Sequence, residues 1–209
     1  MRLTLVRHGE TVWNAERRLQ GHADAPLSER GIGQARRAAE FFAGTPAPSL
    51  VVSSDLSRAR HTAELLGFSA FATDRRLREM DLGDWTGRWI KDIEASDKGA
   101  YRDWRLGVST PPRGEEWEPF CARVGDALRD AVGRSEGDIV IVTHEGVVRA
   151  ACAILVGLPP SRLAPVSPAA LTIFDIDRAA PSHAARLVAF NLAPSPGDLR
   201  TQGLDHAPV

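Results

Sequence analysis

Leu5-Val6-Arg7-His8-Gly9-Glu10-Thr11 closes the first apolar run of the chain, and its order of residue types decides how the rest is read. The run that leads into it, Arg2–Arg7, has the shortness and the leucine and β-branched content of a buried strand. A strand ending here delivers an arginine and a histidine to the loop that follows. An imidazole is a competent nucleophile near neutral pH, a guanidinium holds phosphate oxygens in a fixed fork, and Gly9 lets the backbone turn tightly beside them. The combination points to phosphoryl chemistry.

Working outward, Leu50–Ser53 and residues 138–143 read as two further buried strands. Helical patterns separate them. Ser28 is placed to cap a helix running to about Ala43, with Ile32, Ala35, Ala39 and Phe42 on its apolar face and Gly44 ending it. Asp55 is placed to cap a second, carrying Leu56, Ala59, Ala63 and Leu66 and stopping near Gly67, and a third spans about 115–132. Strands alternating with helices predict a three-layer α/β/α sandwich around a mostly parallel sheet. Near the C-terminus, 171–176 and 186–190 are strand candidates joined by only about ten residues containing Pro181, which predicts an antiparallel pair at the sheet edge.

The 209 residues, 43% hydrophobic and 25% charged, fit one globular domain over 1–209. A formal net charge of -1 gives no global attraction to nucleic acid or membrane. Two cysteines, Cys121 and Cys152, build neither a disulfide framework nor a paired metal site. The apolar run at Leu3 to Val6 is far too short for a signal peptide core or a spanning helix, so the expectation is a cytoplasmic, soluble protein. Segment 85–117 holds four of the five tryptophans with Tyr101, Arg102, Arg105 and Arg113; it reads either as a lid or substrate wall or as a helical excursion packed on the body. The Pro/Gly-rich end, 193–209, is expected to be mobile. An edge strand offers a route to a homodimer, which nothing in the chain demands.

Ligands of open α/β sheets bind beyond the carboxyl ends of the strands. His8 and His144 both follow strand-like runs, and Arg58 follows Leu50–Ser53, so three segments converge on one edge. Alone, His8 reads as a core histidine and Arg58 as a solvated helix residue; their joint occurrence selects the functional reading. A transferring phosphoryl group needs positive groups and N–H donors around its oxygens. Arg7, Arg58 and His144 supply them, neutral His8 supplies the nucleophile, and Glu79 is a carboxyl able to protonate a departing alkoxide and later serve as base toward water. The six histidines show no metal-ligand pairing and there is no Gly-x-x-x-x-Gly-Lys-Ser/Thr loop, so the scheme calls for no metal and no cofactor. Arg60 and His61 fall on other helical faces, and Asp81 and Asp84 are rival acids to Glu79.

Four segments in order carry a family resemblance: Leu5 to Thr11, Ser54-Asp55-Leu56-Ser57-Arg58-Ala59-Arg60-His61-Thr62-Ala63-Glu64, Leu77-Arg78-Glu79-Met80-Asp81-Leu82-Gly83-Asp84-Trp85-Thr86-Gly87, and Val142-Thr143-His144-Glu145-Gly146-Val147-Val148-Arg149. Together they resemble the histidine phosphatase superfamily, also called the phosphoglycerate mutase-like family, over residues 1 to about 157. The resemblance implies that His8 is phosphorylated, that Arg7, Arg58 and His144 complete the phosphate pocket, and that Glu79 is the acid. It further implies phosphate contact by Asn14 and substrate contact by Gln20 and its neighbour Gly21. Two departures stand out. Glu145 replaces the second residue of a common His-Gly-Gly, where it either points outward from a helix N-terminus or faces phosphate and narrows the substrate range. Arg113, in a stretch where small phosphatases commonly read Pro-Gly-Gly-Glu-Ser, offers a contact for an anionic substrate. The implied activity is metal-independent hydrolysis of a small phosphorylated metabolite, with α-ribazole phosphate, sugar phosphates and phosphoglycerates all open. A phosphoglycerate mutase and a catalytically silent phospho-ligand module are the alternatives. The partner expected is that metabolite, with neither nucleic acid nor membrane.

Overall fold

The computed structural model describes residues 1–179 and 184–198; Pro181, His183, His206 and the end beyond 198 lie outside them. Its first strand, β1 (Arg2–Arg7), is followed by a single helical turn, α1 (Val12–Ala15), and then α2 (Glu29–Ala38). Next come β2 (Leu50–Ser53), α3 (Ser57–Leu65) and the two-residue β3 (Ala72–Thr73). The excursion 85–117 holds α4 (Ile90–Ser96) and α5 (Ala100–Arg105), and α6 (Trp117–Arg134), β4 (Ile139–Thr143) and α7 (Glu145–Val156) follow. A hairpin of β5 (Leu171–Ile176) and β6 (Ala185–Leu192) comes last.

The six strands are ordered β3-β2-β4-β1-β5-β6. β4 pairs in parallel with both β1 and β2, whereas β5 runs antiparallel to β1 and to β6. The expected antiparallel pair is therefore this hairpin, and the strand that runs against the rest of the sheet is its inner member. β1 and β4 are central, and all five residues of β4 are buried, as a strand covered on both faces requires. One side of the sheet carries the larger core, built from Leu3, Leu5, Ile139 and Ile141 with Phe120, Val124 and Leu128 of α6 and Val147, Val148 and Ala151 of α7. The other side packs Val6, Val140 and Val142 against Ala38 of α2 and Ala59, Ala63 and Leu66 at α3.

Ser28 caps α2 as predicted, accepting from Gly31 N at 3.0 Å, a contact of about 1 kcal/mol. The helix itself is shorter than its apolar pattern, ending at Ala38 and continuing only as a 3-10 turn to Phe41. Its buried face is Gly31, Gln34, Ala35 and Ala38, displaced from the face that the large apolar residues suggest. The reason is close approach: a Cβ on Gly31 would lie 1.9 Å from the carbonyl oxygen of Glu10, in the loop after His8. Small residues, not large ones, let α2 press on that loop.

Asp55 does not cap α3. It forms a two-pronged ion pair with Arg78, at 2.7 and 2.6 Å, and the cap comes from elsewhere: Asp24 Oδ2 accepts from Ser57 N at 2.6 Å. The third predicted helix is confirmed with both ends displaced by two residues, as α6. Of the 193–209 end only 193–198 lie among the described residues, and there Asp198 is buried against α2, accepting from Gln34 at 3.0 Å and pairing with Arg37 at 2.8 Å. In the 85–117 excursion, Trp85 and Ile93 enter the larger core, and Trp104 packs edge-on against Trp85 with ring centres 6.1 Å apart. No described helix is long and apolar enough to cross a membrane.

Candidate active site

The ends of β1, β2 and β4 meet through their own backbones. His8 N donates to Thr143 O at 2.8 Å and Ser54 N to Val142 O at 2.9 Å, so the residues just after the three strands share one edge. His8 and His144 lie there with ring centres 5.2 Å apart, edge to face, both almost fully buried.

His8 Nδ1 lies 2.7 Å from its neighbour's carbonyl, Gly9 O. A carbonyl only accepts, so the ring proton belongs on Nδ1, and Nε2 keeps its lone pair. Burial, followed by the positive charges of Arg58 and Arg7, holds the His8 pKa well below its ordinary value. The ring is neutral at physiological pH, which is the nucleophilic form. Gly9 N in turn donates to Thr62 Oγ1 at 3.1 Å, tying the loop to α3.

His144 is neutral for the same first reason, burial, reinforced by Arg58. Its Nε2 lies 2.8 Å from Ser54 Oγ, while its Nδ1 is buried with no partner among the described residues. Arg58 reaches in from the first turn of α3, 1% exposed, donating from Nη1 to Ala23 O at 2.7 Å and from Nη2 to Gly21 O at 2.8 Å. Burial lowers its pKa to about 10, with Glu79 and Asp24 opposing, so it stays cationic near pH 7. Its Nε, like His144 Nδ1, is buried and unpartnered among the described residues. Two such donors in one protein interior cost about 1–3 kcal/mol each unless an acceptor meets them, and an oxyanion is the acceptor that suits both.

Glu79 sits opposite, on the loop after β3. Its Oε1 accepts from Met80 N at 2.9 Å and its Oε2 from Gly146 N at 3.2 Å, in the first turn of α7. Its backbone carbonyl is gripped by Arg123 Nη2 at 3.0 Å and by His22 Nε2 at 2.9 Å. Gly146 has no Cβ for a reason: one would fall 2.1 Å from Glu79 Oε1. The rival acids are employed differently. Asp81 caps a turn at Gly83, and Asp84 faces solvent.

Asn14 closes α1 against itself, its Oδ1 accepting from Thr11 N and Thr11 Oγ1, each at 3.1 Å. Gln20 is buried with its Oε1 unpartnered among the described residues, and Gly21 contributes its carbonyl to Arg58. Arg113 is 83% exposed and paired with Asp84, away from the walls of the pocket described next.

Beside Glu79 opens a narrow pocket of about 50 Å³. Met80, Trp104, Arg105, Trp117, Glu145 and Arg149 are among its walls, so the aromatic excursion packs on the body and lines a cavity at once. Of the two orientations weighed for Glu145, the structure shows the inward one: the residue is buried, with Oε2 3.1 Å from Arg7 Nη1 and Oε1 2.5 Å from Arg105 Nη1. Arg7 also donates to Val166 O. Arg105, Arg123, Asp24 and Ser54 were not singled out as site residues from sequence, since each acts through a partner 40 or more positions away or across a turn of loop that no local pattern marks. Among the described residues, no three His, Cys, Asp or Glu side chains lie together so as to hold a metal ion.

The family model of the histidine phosphatase superfamily (branch 1) matches residues 3–187. The chain belongs to the histidine phosphatase superfamily. Among curated relatives of this histidine phosphatase, "phosphoglycerate mutase-like protein 4" of Arabidopsis thaliana is 40% identical over 155 residues, covering 70% of this chain and 67% of the relative. A glucosyl-3-phosphoglycerate phosphatase of Mycolicibacterium vanbaalenii is 38% identical over 170 residues, covering 76% and 75%. Among solved structures, a mycobacterial glucosyl-3-phosphoglycerate phosphatase in complex with VO3 superposes with a TM-score of 0.83 at 35% identity, covering 92% of this chain and 99% of that one. The fold is thus phosphoglycerate mutase-like, and the enzyme class is that of the superfamily's phosphomonoesterases.

Proposed function

We propose that this histidine phosphatase hydrolyses a small phosphorylated metabolite through a phosphohistidine at His8 Nε2, with Glu79 as acid and then base. The observation that carries the assignment is the His8 Nδ1 contact with Gly9 O, 2.7 Å, in a site whose burial and arginines keep the ring neutral. Nε2 attacks phosphorus in line with the ester oxygen, the P–O bond to the alcohol breaks, and the Glu79 carboxyl transfers its proton to the departing oxygen. Water then attacks the phosphohistidine, gives a proton to the Glu79 carboxylate, and releases phosphate with His8 restored.

Charge on the transferring oxygens is met by Arg7 and Arg58, with the two buried donors, Arg58 Nε and His144 Nδ1, supplying directed N–H groups. With the Ser54 hydroxyl donating to His144 Nε2, the ring proton resides on Nδ1, the atom left for phosphate. Asn14, its oxygen taken by Thr11, presents an NH2 as a further donor, and Gln20 with Gly21 shapes the entrance. Such preorganised donors are worth about 10²–10³ in rate apiece. No step calls on a metal. Segment 85–117 forms the wall around the alcohol half.

The test is phosphate release in EDTA from p-nitrophenyl phosphate and a panel of alkyl phosphates by wild type and His8→Ala. Turnover in wild type and its loss in His8→Ala support the reading; equal rates in both overturn it. Because one relative bears a phosphoglycerate mutase-like name, the same preparations are assayed for isomerisation of 3-phosphoglycerate after bisphosphate priming. Isomerisation faster than hydrolysis favours the mutase.

A further inference from the structure

The arginines on the wall of the alcohol-side pocket are already engaged by the protein, which bears on substrate choice. By residue type the pocket looks built for an anion, since Arg105 and Arg149 both line it. Neither is presented that way. Arg105 is held by Glu145 at 2.5 Å. Arg149 spends its Nη2 on two backbone carbonyls, Arg105 O and Pro160 O, the latter at 3.1 Å. Its buried Nε is a single N–H, which one hydroxyl or ether oxygen can meet without the two-pronged grip a carboxylate would need. Against these stand the Glu145 carboxylate and the proton-bearing Glu79 carboxyl on the pocket wall, with Trp104 and Trp117 as flat apolar faces and Ser109 and Thr110 as neutral hydrogen-bonding groups.

We infer that Glu145 is a specificity-determining residue: clasped between Arg7 of the phosphate site and Arg105 of the pocket wall, it selects substrates whose alcohol half is an uncharged polyol and rejects those bearing a second anionic group. This rests on the phosphatase reading above. Glu145 acts in two directions from one carboxylate. Toward the pocket it occupies the guanidinium that a substrate carboxylate would otherwise use; toward phosphate it offsets part of the Arg7 charge, so the site tolerates one dianionic group and penalises a further charge. The burial of Glu145 limits how far salt screens the interaction.

Glycerol 3-phosphate and 3-phosphoglycerate test this directly, because they share a three-carbon skeleton and differ only in a neutral hydroxymethyl group against a carboxylate. For wild type, kcat/KM is expected to favour glycerol 3-phosphate by about tenfold or more, the effect of one like charge at partly desolvated range. Glu145→Gln keeps the side chain's shape and removes its charge, and the ratio should close to within about threefold; Glu145→Gly serves as a second variant should the amide disturb folding. A wild-type ratio near one, or one favouring 3-phosphoglycerate, overturns the inference, as does a preference that survives in both variants. Turnover of p-nitrophenyl phosphate by wild type separates the two levels: with it absent the phosphatase reading fails, and with it present the ratio alone judges Glu145.

Discussion

Replacing Gly146 by alanine would move the Glu79 carboxyl without changing any ionisable group. The added Cβ falls 2.1 Å from Glu79 Oε1, and real Cβ contacts stay beyond 3.0 Å, so the carboxyl must retreat by at least about 0.9 Å. Phe120 Cζ, 3.3 Å from the same Cβ, makes the position tighter still. The retreat strains the 3.2 Å bond from Gly146 N to Oε2, a modest loss of about 1 kcal/mol in stability because the displaced atoms end a flexible side chain. The catalytic loss is larger: misplacing a reacting group by about 1 Å costs on the order of 10²-fold. In kcat/KM, which reports transfer to His8 and not the later hydrolysis that all substrates share, that loss belongs only to substrates that need a proton on the leaving oxygen. The kcat/KM for an alkyl ester such as glycerol 3-phosphate should therefore fall by about 10², while that for p-nitrophenyl phosphate, whose phenolate leaves unaided, should lose no more than a few-fold. Equal losses on both esters, or none on either, would refute the assignment of Glu79 as the acid.

Stability should decline with acid in a window set by the two buried histidines. Both His8 and His144 have folded pKa values below the unfolded one, so their contribution is complete above about pH 6.5 and is lost as pH falls below it, at up to about 1.4 kcal/mol per pH unit for each. Urea midpoints from pH 7.5 to 5 would show the slope, and His144→Gln should flatten it. Asp24→Ala removes the acceptor for Ser57 N, and should cost about 1 kcal/mol by denaturant titration, despite lying 33 residues from the helix it caps. Gly31→Ala places a Cβ 1.9 Å from Glu10 O, a backbone atom that cannot step aside, and should destabilise by about 3 kcal/mol or more in thermal unfolding.

What could be read from sequence follows from how local each interaction is. β1 and β4 are buried on both faces and β2 is buried in its second half, so their apolar runs announce them, and His8 and His144 inherit their positions from strand ends. Arg58 was legible because only three residues separate the end of β2 from the helix whose first turn carries it, which keeps it at the same sheet edge. The misreadings share the opposite property. The cap of α3 is Asp24 rather than Asp55, since Arg78 competes for Asp55 with a bidentate guanidinium that no α3 pattern reveals. The face of α2 is set by how closely Gly31 must approach Glu10, a constraint belonging to another segment. The inward turn of Glu145 depends on Arg105, 40 positions earlier, and on Arg7 across the sheet edge. Asp198 is likewise held by an arginine of α2 at the far end of the sequence.

The central claim, that a neutral His8 attacks through Nε2, is tested most directly by trapping the intermediate. Wild-type protein is mixed with excess p-nitrophenyl phosphate, quenched in alkali within the first turnovers, and the labelled peptide is located by mass spectrometry and its isomer identified by phosphorus NMR. The Nδ1 contact with Gly9 O predicts an acid-labile phosphohistidine on His8 carrying phosphorus at Nε2. Phosphorus at Nδ1, on His144, or on no residue while turnover proceeds would contradict it.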